Sequence, residues 1–108
     1  MSFSVKTISV FERQAKRLMK KFPSLKKEIQ ALISELKEEP EKGTPIGHNC
    51  YKIRLAIASK GKGKSGGARV ITHLFFKDDT VYLLTIYDKL DIENLTDKEI
   101  LELIKQIP

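Results

Sequence analysis

The stretch Tyr51–Lys89, YKIRLAIASKGKGKSGGARVITHLFFKDDTVYLLTIYDK, decides the fold. Its apolar residues recur every second position, which is the period of a strand with two unlike faces. Tyr51, Ile53, Leu55 and Ile57 alternate with Lys52, Arg54, Ala56 and Ala58. From about Ala68 to Phe76, Arg69, Ile71, His73 and Phe75 share one face while Val70, Thr72, Leu74 and Phe76 share the other. After a turn at Asp78-Asp79, a third strand runs from about Thr80 to Tyr87. There Val81, Leu83, Thr85 and Tyr87 alternate with Tyr82, Leu84 and Ile86. Short links make the three an antiparallel meander.

The flanks supply helices. Residues 3–8, FSVKTI, read as a short strand. Ser9 and Glu12 have the spacing of a capping box, and Phe11, Ala15, Leu18, Met19 and Phe22 follow at helical spacing until Pro23. Ser24 can cap a second helix whose stripe is Leu25, Ile29, Leu32, Ile33 and Leu36. Residues 40–49, PEKGTPIGHN, read as a loop. Thr96 and Glu99 form another capping box, Leu95 and Ile100 a hydrophobic staple around it, and Ile100, Leu103, Ile104 and Ile107 a last amphipathic helix. The order β-α-α-β-β-β-α predicts an α+β fold, an antiparallel sheet with a helical hairpin on one face. The length of 108 residues, 41% of them hydrophobic, suits a single domain spanning 1–108.

No apolar run approaches the roughly 20 residues of a membrane span, no signal-peptide pattern opens the chain, and a single cysteine, Cys50, cannot make an internal disulfide. These features predict a cytoplasmic protein. The net charge of +6 favours an anionic partner, and it is unevenly spread. Between Lys42 and Lys77 there is no acidic residue, while Lys52, Arg54, Lys60, Lys62, Lys64 and Arg69 all fall there.

The segment GKGKSGGAR, residues 61–69, superficially suggests a nucleotide-binding loop. The first glycine of that motif would fall on Ala58, and a strand pattern follows where the motif needs a helix N-terminus. Two readings remain. Gly66-Gly67 can serve a plain hairpin loop, and Lys60, Lys62 and Lys64 around flexible glycines can form a cationic arm for a nucleic-acid backbone. His48 and Cys50 lack a second pair at ligand spacing, so no metal site and no cofactor are expected.

If the polar faces of the three strands coincide, Lys52, Arg54, Arg69, His73, Tyr87 and Lys89 lie together. A single bulge would reverse that parity. Such a set suits attack of an RNA 2′-hydroxyl on its own phosphodiester. Guanidinium groups match the charge gathering on the non-bridging oxygens. His73, Tyr87 and Lys89 are the candidates for proton transfer. RNA binding without chemistry is the alternative.

The blocks Y-K-I-R, G-A-R-V-I and Y-D-K, with the preceding helices AKRLMKKFPSLKKEIQALISEL, resemble RelE/HigB-like toxins of bacterial type II toxin–antitoxin modules, and in particular the HigB-like branch. The resemblance implies a microbial-RNase-like fold and metal-independent cleavage of mRNA on the ribosome, neutralised by a cognate antitoxin protein. It implies catalytic roles for Arg54, Arg69, Tyr87 and Lys89, and RNA contacts by Lys60, Lys62 and Lys64. The polar-face pattern adds Lys52 to the RNA-binding set and keeps His73 in reserve as a catalytic group. The chain departs from relatives that use a Glu–His pair.

Overall fold

The computed structural model of the chain describes residues 2–60, 66–89 and 94–108. Strand β1 (Ser4–Thr7) leads into helices α1 (Ser9–Lys21) and α2 (Leu25–Glu38). Strands β2 (Thr44–Gly47), β3 (Cys50–Leu55), β4 (Ala68–Phe75) and β5 (Thr80–Asp88) follow, then helix α3 (Asp97–Ile104). The five strands form one sheet in the order β1-β5-β4-β3-β2. β1 runs parallel to β5, and every other neighbouring pair is antiparallel. The α+β class and the hairpin of helices agree with the sequence reading.

The helices form because their apolar residues recur at intervals of three and four. Phe11, Ala15, Leu18 and Phe22 of the first stripe, and Leu25, Ile29, Leu32 and Leu36 of the second, are buried. They share a core with Ile53, Val70, Leu74, Val81, Leu83 and Ile86 of the sheet. No helix among the described residues is long and apolar enough to cross a membrane.

Four local expectations are corrected. The region read as a loop contains β2, which pairs Thr44 with Lys52 and Pro45 with Tyr51. The hairpin closes through His48 and Asn49, both in the left-handed region at φ 56° and 57°. Positive φ at both central residues is what a right-twisted hairpin of this length requires. The capping box at Ser9 and Glu12 does not form, because the Thr7 hydroxyl donates to the Glu12 carboxylate at 2.6 Å and no side chain caps α1. Ser24 likewise caps no amide of α2, and its hydroxyl donates to Glu28 at 3.0 Å. The box at Thr96 and Glu99 forms in both directions.

The fourth correction is a bulge. The β4–β5 pairing shifts between Ile71 and Thr72, which leaves Leu84 as the extra residue on β5. Tyr82 therefore shares a face with Thr85 and Tyr87, against the unbroken alternation expected for that strand. Beyond the end of β1, the Gln14 side chain of α1 accepts from the Thr85 hydroxyl at 2.7 Å and the Ile86 amide at 3.1 Å. A helix side chain thus satisfies the part of the β5 edge that β1 does not reach.

Candidate active site and RNA-facing surface

Register assembles the site. Directly opposed residues of an antiparallel pair project to the same face. Arg54 pairs with Arg69, and Arg69 with Tyr87. These side chains form one row across β3, β4 and β5, with neighbouring strands about 4.8 Å apart. The next row is Lys52, Ile71 and Thr85, and the one after it Cys50, His73 and Tyr82. Ala31 and Leu32 of α2 line a groove with Ile53 and Leu55, so the helical hairpin covers the opposite face.

The row runs from solvent into cover. Arg54 is exposed, whereas Arg69 is 5% exposed and Tyr87 only 4%. Over Tyr87 the cover is the start of α3. Leu95 and Ile100 share a cavity of about 100 Å³ with Lys52, Ile71 and Tyr87. The staple pair read from the sequence therefore clamps α3 over the polar face, and the Lys52 ammonium donates to the Asn94 side-chain oxygen Oδ1 at 3.0 Å. The Tyr87 hydroxyl is buried with no hydrogen-bond partner among the described residues. Burial pushes its phenol above the usual value of 10, with the Arg69 guanidinium opposing. Tyr87 is consequently a neutral O–H donor at neutral pH. One Arg69 guanidinium nitrogen donates to the Ala68 carbonyl at 3.2 Å. Lys89 stands exposed just past β5, its amide donating to the Gly67 carbonyl at 3.3 Å.

Two candidates lie apart from the row. His73 is four residues along β4 from Arg69, about 13 Å at strand rise. Its Nδ1 is 3.5 Å from the Cys50 sulfur. Burial holds the imidazole below 6.5, with a backbone hydrogen bond to His48 opposing, and burial pushes the Cys50 thiol up to about 11. A neutral histidine beside a protonated thiol is a packed polar pair, not an activated nucleophile.

Lys60 is also placed elsewhere than the cationic arm requires. Its ammonium contacts Asp88 at 2.6 Å, with side chains 8% and 3% exposed, and lies 5.6 Å over the Phe22 ring. Asp88 alternates with Tyr87, so this pair sits on the helical side of the sheet. The adjoining turn (Ala58–Lys60) is pinned to the helices as well: the Ser59 amide donates to the Ser24 hydroxyl at 2.9 Å and the Ala58 amide to Glu28 at 2.7 Å. Lys62 and Lys64 lie outside the described residues. Sequence reasoning did not single out Asp88, the residue that takes up Lys60. A carboxylate inside an apolar strand, at the D of Y-D-K, was the available signal. Among the described residues, no cluster of three or more His, Cys, Asp or Glu side chains could hold a metal ion.

No family model matches the chain. Solved structures do. A free-state Escherichia coli RelE toxin carrying two arginine-to-alanine substitutions is 18% identical over 100% of both chains, with a TM-score of 0.63. A crystal structure of the isolated E. coli RelE toxin, in its P21 form, is 17% identical over 99% of this chain and 100% of that one, with a TM-score of 0.57. At full coverage and this identity the likeness is one of fold, and the chain has a RelE-like toxin fold.

Proposed function

We propose that the chain is the toxin of a type II toxin–antitoxin module, an endoribonuclease that cleaves mRNA on the ribosome. The observation that carries this is the row Arg54–Arg69–Tyr87, two guanidinium groups and a buried, unpaired phenol side by side on a RelE-like sheet.

The chemistry follows from the groups. The 2′-oxygen of the cleaved nucleotide attacks the adjacent phosphorus, and its proton passes to water. Arg69 pairs with the non-bridging oxygens as their charge grows, and Arg54 orients the phosphate from the solvent side. The bond from phosphorus to the 5′-oxygen breaks, and Tyr87, which keeps its proton at neutral pH, protonates that oxygen. Tyr87 then recovers its proton from water. Lys89 adds positive charge at the open end of the row. The products are a 2′,3′-cyclic phosphate and a 5′-hydroxyl. The burial of Tyr87 sets a condition: the cover formed by Leu95 and Ile100 must lift for the leaving 5′-oxygen to reach its hydroxyl. In this reading the partners are ribosome-bound mRNA and a cognate antitoxin, in the cytoplasm.

The same burial favours a second reading, a non-catalytic module that binds RNA through its exposed cations or binds an antitoxin. Expression in a bacterial host with mapping of new mRNA 5′ ends separates the two. The nuclease arrests growth and yields new ends, and Arg69→Ala, folded, yields neither. A folded Arg69→Ala chain with undiminished cleavage rules out the catalytic role given to Arg69.

A further inference from the structure

The cations of the polar face continue past Arg54 to the margin of the sheet, where a groove of about 230 Å³ is lined by Lys42, Gly43, Thr44, Lys52, Ile53 and Arg54. We infer that this groove binds the phosphate backbone of single-stranded RNA beside the scissile nucleotide, and that Lys42, held by Glu35 in the RNA-free chain, is one of its phosphate ligands. The inference rests on the RNA-binding part of the proposed function and does not require cleavage.

Backbone geometry puts Lys42 there. Gly43 has φ +105°, and a Cβ at that position would lie 2.6 Å from the Lys52 carbonyl oxygen and 2.8 Å from an Ile53 side-chain carbon. The chain therefore presses against β3 at a point only glycine accepts. Thr44 then pairs with Lys52, and the Lys42 amide donates to the Glu39 carbonyl at 3.2 Å. Lys42 is fixed on both sides, next to Lys52 and Arg54. The groove joins the reactive row through Arg54, which belongs to both.

Charge selects the ligand. Among the described residues no carboxylate forms an ion pair with Lys52 or Arg54, and the Lys52 contact is to the neutral amide of Asn94. Lys42 contacts Glu35 at 2.7 Å, with side chains 33% and 48% exposed. Exposed pairs of this kind are weak and screened by salt, so a phosphate can displace Glu35. Three ammonium and guanidinium groups along one groove suit the phosphates of a single strand, and among the described residues that line it none is an aromatic on which a base could stack.

The test is equilibrium binding of the full chain to a fluorescent single-stranded oligoribonucleotide carrying 2′-deoxy substitutions that prevent cleavage, titrated over a range of salt. Lys42→Ala should weaken binding roughly threefold, as loss of one screened surface charge contact does. It should lower the slope of log affinity against log salt by about 0.7. Lys42→Arg should restore both, and Glu35→Gln should tighten binding at low salt by releasing Lys42. A purely structural Lys42–Glu35 pin predicts that neither variant moves the slope and that both lower the melting temperature. That result, or absence of RNA binding by the wild-type chain, overturns the proposal. Cleavage is scored separately with Arg69→Ala: loss of the nuclease reading with the salt effects intact leaves the groove standing, and the converse removes the groove alone.

Discussion

Removing the Asp88 carboxylate should cost more stability than removing any exposed charge of this chain. Asp88 and Lys60 are in contact at 2.6 Å with side chains 3% and 8% exposed. A solvent-exposed pair contributes about 0–1 kcal/mol, whereas deleting one partner of a buried pair costs about 3–5 kcal/mol, because the other charge is left without water or counter-charge. Asp88→Ala strands the Lys60 ammonium between Phe22 and the strand end. At about 4–8 °C per kcal/mol for a domain of this size, the melting temperature should fall by about 12 °C or more. Urea denaturation of Asp88→Ala, Lys60→Met and the double variant, assembled as a cycle, isolates the pair from the other contacts of Asp88. Much of the loss should return in the double variant. A loss below about 1 kcal/mol for Asp88→Ala, or additive single effects, would refute the view that this ion pair holds the turn to β5.

Three further outcomes follow from local geometry. His73 has a folded-state pKa below its unfolded value of 6.5, so stability is complete above that value and declines as pH falls through the depressed pKa. His73→Gln should flatten this acid limb in thermal melts taken as a function of pH, and an unchanged limb would assign it to other groups. Gly43→Ala should destabilise by about 1–3 kcal/mol, since it joins an unfavourable φ to a clash with the Lys52 carbonyl; a neutral effect in chemical denaturation would contradict the tight approach. Thr96→Ala should cost about 1 kcal/mol and raise amide exchange in α3 first, because both halves of the capping box are lost.

Much of the architecture was legible because the signals were periodic. The α1 and α2 stripes and the β3, β4 and β5 alternations gave the hairpin and the meander, and Thr96 with Glu99 located the start of α3. Strand β2 escaped because Pro45 and Gly47 are loop residues by preference, and its signal lay in the His48-Asn49 turn instead. The bulge at Leu84 leaves no mark in composition, yet it brings Tyr82 onto the face of Tyr87. The Ser9 box failed through competition from Thr7, a residue outside the motif. Parity grouped Arg54, Arg69 and Tyr87 on one face provided the polar faces of the strands coincide; the register that sets them in one row came from the strand pairing. Parity could not show that α3 closes over Tyr87, or that Lys60 turns to the other face, because both depend on long-range contacts with Ile100 and Asp88.

Cleavage of a defined mRNA on purified, programmed ribosomes tests the central claim most directly, with the substrate supplied in all-ribose form and with a 2′-deoxy nucleotide at the cleaved position. The account predicts a 2′,3′-cyclic phosphate end from the ribose substrate, none from the 2′-deoxy substrate, and a collapse of the rate in Arg69→Ala and Tyr87→Phe. RNA bound by the wild-type chain but left intact, or equal cleavage of the 2′-deoxy substrate, would contradict it.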